Sequence, residues 1–168
     1  MNVQEALRTV LAIRAFADRP VSAETLQKIL EAGQYTGSAR NRQPWNFVVI
    51  QDKDTLQELG RMATTGPYVA QAPLAIAVVV EDTSFGISDG SRAIQSMVLA
   101  GWEEGVGSNW VGFSGFEEVK KLLGIPRELN MLALLPFGYP AQKAGGGKKK
   151  RKPLSEIAHR ERFGQPFP

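Results

Sequence analysis

Cysteine is absent from this chain of 168 residues and histidine occurs once, at His159. Disulfides, thiolate metal sites and a cysteine nucleophile are thereby excluded, and so are multi-histidine metal centres. Long apolar runs are missing too. The stretch from Leu74 to Val80 is far below the roughly 20 residues a membrane-spanning helix needs. The N-terminal Met1-Asn2-Val3-Gln4-Glu5 has neither the basic nor the apolar region of a secretory signal, so a cytoplasmic protein with no membrane partner is expected. The formal charge of +3 is local: Lys148, Lys149, Lys150, Arg151 and Lys152 carry it, and the remainder of the chain is slightly acidic. A whole-surface nucleic-acid footprint is not expected from that distribution.

A chain of this length buries roughly two-thirds of its unfolded surface, enough for one domain with a true core. Val3, Ala6, Leu7, Val10 and Leu11 stand at helical spacing and predict a helix over 3–13. Ser22 caps a second helix that carries Leu26, Ile29 and Leu30 and ends near Gly33. A short helix is expected over 54–63, a strand over 74–81, and a long helix over 88–104 with small and apolar positions. Strands are expected over 108–113 and 130–138. Between them Ser114-Gly115-Phe116-Glu117 forms a capping-box pattern, opening a helix closed by Gly124-Ile125-Pro126. Beyond residue 142 the Gly145-Gly146-Gly147 run and the basic cluster mark an arm, 143–168, mobile or supported by a partner and belonging to the same domain as 1–142. Pattern alone leaves α/β and α+β both open.

Gly37 to Ile50 is the most informative stretch. A polar loop, Gly37-Ser38-Ala39-Arg40-Asn41-Arg42-Gln43-Pro44, runs into Trp45-Asn46-Phe47-Val48-Val49-Ile50, which reads as a buried strand. Short amide and hydroxyl side chains at a strand mouth suit the polar edge of a heterocycle or a polyol chain. An ordinary turn ended by proline would look similar.

Ser38-Ala39-Arg40-Asn41-Arg42-Gln43-Pro44-Trp45 resembles the S-x-x-N-x-Q-P-W signature of the FMN-dependent nitroreductase family. Ile13-Arg14-Ala15-Phe16 with Pro20-Val21 resembles its N-terminal I-R-x-F…P-V segment. Gln95…Leu99-Ala100 and Gly105-Val106-Gly107-Ser108-Asn109-Trp110 continue the likeness over most of 5–140. The resemblance implies an α+β fold, a central, mainly antiparallel sheet wrapped by helices, built as an intertwined homodimer. It also implies FMN as cofactor, NAD(P)H as reductant, and a nitroaromatic, quinone or similar small molecule as acceptor in a ping-pong hydride transfer.

With no metal set, the flavin would carry the chemistry and no side chain is nominated as catalytic. The resemblance nominates Arg14, Ser38, Ala39, Arg40, Asn41 and Gln43 for the flavin ring and ribityl chain. It nominates the loop at Val111 and Gly112 for N5, and Lys150 and Arg151 for the phosphate. Two departures stand out. The family usually places cations ahead of I-R-x-F, where this chain has Val10-Leu11-Ala12. It often has an acidic residue before Gly112, where this chain has Val111.

Competing readings are a flavin-binding protein without turnover and a basic-armed nucleic-acid binder. Gly86-Ile87-Ser88-Asp89-Gly90 also matches the G-x-S-x-G hydrolase elbow, but Asp82 to Phe85 separates it from the preceding strand. Ser88 is better suited to capping the helix. A lone histidine in an arm is a poor triad base, and His159 carries little functional weight.

Overall fold

The computed structural model describes residues 1–113, 115–143 and 149–167. The elements run α1 (Val3–Thr9), α2 (Ala23–Gln34), a 3₁₀ turn Ala39–Asn41, β1 (Trp45–Ile50), α3 (Lys53–Met62) and a second 3₁₀ turn Pro67–Gln71. They continue with β2 (Leu74–Glu81), α4 (Gly86–Glu103), β3 (Gly107–Ser108), α5 (Glu117–Leu122), β4 (Leu129–Gly138) and α6 (Leu154–Ile157).

The four strands form one antiparallel sheet in the order β1-β2-β4-β3. The fold is therefore α+β. Strand β2 is central, and every residue from Leu74 to Val80 is buried, because the pleat sends alternate side chains into two separate cores. Ala75, Ala77 and Val79 join Leu56, Leu59 and Val69 under α3 and the second 3₁₀ turn. Leu74, Ile76 and Val78 join Ile29, Ile94 and Met97 of α2 and α4 on the other face. A continuous apolar run, rather than an alternating one, is what a strand covered on both faces requires.

Helix ends follow local chemistry. Ser22 Oγ accepts the Thr25 N–H at 3.1 Å and starts α2, and Asp52 Oδ2 accepts the Thr55 N–H at 2.9 Å and starts α3. At the end of α4, Gly105 takes φ +76°, the Val106 N–H reaches the Gly101 carbonyl at 2.8 Å, and the Gly105 N–H reaches that of Trp102 at 3.0 Å. These are the paired bonds of a left-handed glycine stop.

Several boundaries differ from the sequence expectation. Helix α1 ends at Thr9 rather than residue 13, since Ala12 bridges Ser108 and the Ile13 N–H donates to the Ser108 carbonyl at 2.9 Å, which requires extended backbone. The strand expected over 108–113 shrinks to Gly107–Ser108 with a single bridge from Val111 to Leu134. Helix α4 begins at Gly86, not Ser88: Ser88 is inside its first turn, and its Oγ donates to the Phe85 carbonyl at 3.0 Å. Ser114 of the expected capping box, and Gly145-Gly146-Gly147 and Lys148 of the arm, lie outside the described residues. Phe116 occupies the N-cap of α5 without a side-chain bond.

Candidate functional site

The loop before β1 departs from ordinary backbone at three non-glycine residues. Arg40, Asn41 and Gln43 have φ of +54°, +55° and +51°. For residues other than glycine and asparagine this left-handed region costs on the order of 1–2 kcal/mol each, so the surroundings must hold them there. Two latches do so. Ser38 Oγ accepts the Gln43 N–H at 2.9 Å, and Asp89 Oδ2, from the first turn of α4, accepts the Ala39 N–H at 3.0 Å. Ser38 thus spends its hydroxyl inside the loop, while Arg40, Asn41, Arg42 and Gln43 are all exposed. Gln43 Nε2 donates to the Asn41 backbone carbonyl at 3.3 Å and lies 3.4 Å from Asn41 Oδ1, so the two amide side chains of the loop sit together.

A groove of about 400 Å³ opens on the other side of α4. Val10, Leu11 and Ala12 form one wall, Ser108, Asn109 and Trp110 another, and the arm closes it with Lys149 and Arg151. Lys149 Nζ donates to the Leu7 carbonyl at 3.0 Å, docking the arm on α1. Burial, and secondarily the Arg151 charge, push the Lys149 ammonium below its usual pKa. Among the described residues neither Lys149 nor Arg151 lies within ion-pair distance of a carboxylate. Two neighbouring cations without a counter-charge among the described residues, in an otherwise uncharged groove, fit a phosphate group.

Helix α4 separates the two features. Asp89 and Ser96 face the loop side, where Ser96 meets Thr36 at the end of α2, whereas Ser91, Gln95 and Val98 line the groove. Of the sequence-nominated residues, Ser38, Ala39, Arg40, Asn41 and Gln43 share the loop. Arg151 lies at the groove, and none of the loop residues lines it. Arg14 is exposed two positions beyond the groove-lining Ala12, with buried Ile13 between them. Lys150 points away from the groove, and its carbonyl accepts from Arg151 Nη1 at 2.8 Å. The Val111 N–H is committed to the Leu134 carbonyl at 3.0 Å and the residue is fully buried, so it has no donor to spare. Gly112 is half-buried, and its N–H meets no acceptor among the described residues.

Three residues escaped the sequence reading. Lys149, not the nominated Lys150, lines the groove with Arg151, and the alternation of an extended arm puts 149 and 151 on one side. Trp110, 46% exposed at the groove wall, enters the sequence analysis only as the last residue of a motif. Phe113 packs on Phe116, with ring centroids 5.4 Å apart, and Trp45 lines a separate groove beside α2. Asp89 had no signal beyond lying in the discarded hydrolase pattern.

That pattern has no catalytic geometry. The Ser88 hydroxyl faces its own helix turn, and His159 packs against Phe163 in the arm with centroids 4.4 Å apart. Among the described residues there is no group of three His, Asp or Glu side chains able to hold a metal, and no helix is long and apolar enough to cross a membrane.

Comparison with known proteins finds one family. The model of the Nitroreductase family matches residues 8–87 and 63–139. A Methanothermobacter thermautotrophicus protein, provisionally named an NADH dehydrogenase/NAD(P)H nitroreductase, is 32% identical over 86% of this chain and 81% of its own length. The FMN reductase [NAD(P)H] of Bacillus subtilis is 26% identical, covering 96% of this chain and 74% of its own. An FMN-dependent nitroreductase structure from Clostridium difficile superimposes with a TM-score of 0.85 at 25% identity, over 94% of this chain and 98% of that one.

Proposed function

The chain belongs to the nitroreductase family, and from that premise we propose that it is an FMN-dependent NAD(P)H oxidoreductase reducing nitroaromatic, quinone or similar acceptors. The observation that carries the cofactor assignment is the groove beside α4, where Lys149 and Arg151 meet without a carboxylate partner. FMN held in this groove would supply the redox chemistry, coupling NAD(P)H oxidation to reduction of the acceptor in alternate half-reactions.

The chain's residues bind and orient. Lys149 and Arg151 hold the phosphate, replacing the cations that Val10-Leu11-Ala12 lack. Those three apolar residues wall the groove without adding charge of either sign. The Arg14 guanidinium supplies positive charge toward the N1–C2 side of the ring, where negative charge accumulates on reduction. Gly112 offers its N–H, unhindered by a side chain. Trp110 lends an exposed aromatic face at the rim.

Asn41 and Gln43, on the far side of α4, reach a groove only from a second chain. A homodimer with two composite sites at the interface accounts for this separation, and the half-buried Val98, Leu99 and Ala100 leave apolar surface on α4 for a second chain to cover. The bond from Lys149 to Leu7 supports reading the arm as part of the same domain.

The test is the visible spectrum of the purified protein, followed by anaerobic addition of NADH or NADPH. A flavin band near-stoichiometric with chains and bleached by the nicotinamide is expected. A colourless protein that does not take up added FMN would rule out the assignment.

A further inference from the structure

We infer that Asp89 is a positioning residue that sets the binding conformation of the loop Ser38–Gln43 from beneath. This rests on the proposed role of that loop in holding flavin, and extends it to a residue that never touches the ligand. Asp89 is 1% exposed, and a carboxylate is retained at such a position only when its oxygens are fully used. Both are. Oδ2 accepts the Ala39 N–H at 3.0 Å, and Oδ1 is held by Arg92 Nη2 one turn along the same helix.

Asp89 is not needed to cap α4. It is the fourth residue of the helix, and its own N–H already donates to the Phe85 carbonyl at 2.8 Å. Its side chain therefore serves the loop. Ala39 immediately precedes the left-handed pair Arg40 and Asn41, and the Ser38 hydroxyl closes the same loop at left-handed Gln43. Ala39 fixed to α4 at one end and Gln43 fixed to Ser38 at the other leave little freedom to relax toward right-handed backbone. Asn41 and Gln43 then project together, as the 3.4 Å contact between Gln43 Nε2 and Asn41 Oδ1 shows. Arg92 orients the carboxylate so that the second oxygen faces Ala39.

The experiment uses full-length protein and titrates FMN and riboflavin against the parent and three variants. Asp89→Ala removes the acceptor. Asp89→Asn keeps an oxygen for the Ala39 N–H and turns its NH2 toward Arg92, whose 56% exposed side chain can swing into solvent. Ala39→Pro removes the donor without touching α4, and extended Ser38 (φ −128°, ψ 157°) already has the backbone that precedes proline. Asp89→Ala and Ala39→Pro should each raise the dissociation constants of both flavins about tenfold. Asp89→Asn should stay within about threefold of the parent.

Amide exchange of residues 39–43 in flavin-free protein supplies a readout independent of the ligand. It should accelerate in Asp89→Ala and remain slow in Asp89→Asn. If Asp89→Ala does not fold, Ala39→Pro and Asp89→Asn decide the matter alone. Parental flavin affinity in Ala39→Pro would overturn the inference, and so would equal loss in Asp89→Asn and Asp89→Ala with unchanged loop exchange. A parent protein that binds neither flavin would instead sink the proposed function, while the exchange data would still report on the latch.

Discussion

Lys149 Nζ lies 3.0 Å from the carbonyl oxygen of Leu7, across 142 positions of sequence. Leu7 is in the last turn of α1, where carbonyls have no partner within the helix and the helix dipole favours a cation. The next residues, Val10-Leu11-Ala12, are the apolar stretch that stands where relatives are expected to carry positive charge. The arm thus delivers a cation to the place where the N-terminal segment has none.

Substitution should therefore separate Lys149 from its neighbour. Lys149→Met is expected to weaken FMN binding about tenfold to a hundredfold, the worth of one charge-assisted contact. Riboflavin, which has no phosphate, should bind nearly as before. Lys150→Met should change neither. Fluorescence titration with both flavins checks this, and equal losses for FMN and riboflavin would remove Lys149 from the phosphate site.

The same ammonium gives a pH dependence of known sign. Burial and Arg151 hold its pKa below the usual 10.5 in the folded state. Carrying the charge destabilises the fold at every pH below the folded pKa, and the penalty fades as pH rises from that value toward 10.5. Parent protein should gain stability relative to Lys149→Met as pH rises through that window in flavin-free melts. Added inorganic phosphate should stabilise the parent more than the variant near neutral pH, and the advantage should vanish once Lys149 is deprotonated.

Packing between α2 and α4 offers a stability test away from the site. A Cβ at Gly33 would come within 2.8 Å of both Met97 Sδ and Phe47 Cζ. Gly33→Val is expected to destabilise the protein by about 1–3 kcal/mol, as overpacked cores do. Chemical denaturation measures it, and a neutral result would mean that the two helices separate easily.

Composite sites predict complementation. Coexpressed Asn41→Ala and Lys149→Met chains should form mixed dimers in which one site carries both lesions and the other neither, so about one site in four recovers full affinity at random assortment. Each variant expressed alone should show none. Failure of the mixture to exceed either parent variant would place loop and groove on the same chain.

Ser88→Ala should leave NAD(P)H oxidation unchanged within about twofold, since the hydroxyl serves only the Phe85 carbonyl. A tenfold fall in steady-state rate would return Ser88 to the site.

Sequence by itself determined the elements whose cause is local. The apolar, β-branched run Leu74 to Val80 after Pro73 marked a strand, and Ser22 marked the start of α2 through a bond three residues long. The loop Ser38–Gln43 showed itself as a cluster of hydrogen-bonding side chains ahead of a strand. What tertiary structure decided depends on residues far apart in the chain. Helix periodicity continues through Leu11, yet α1 stops at Thr9 because Ser108 claims Ala12 and Ile13 for pairing. Alternation along an extended arm groups Lys149 with Arg151, but only the contact with the Leu7 carbonyl decides that this side of the arm faces the groove. Asp89 looks like any acidic residue in a first helical turn until a loop 50 positions earlier places an amide against it. Periodicity and caps express bonds between near neighbours, whereas the site is assembled by contacts that exist only after the two faces of α4 have been packed.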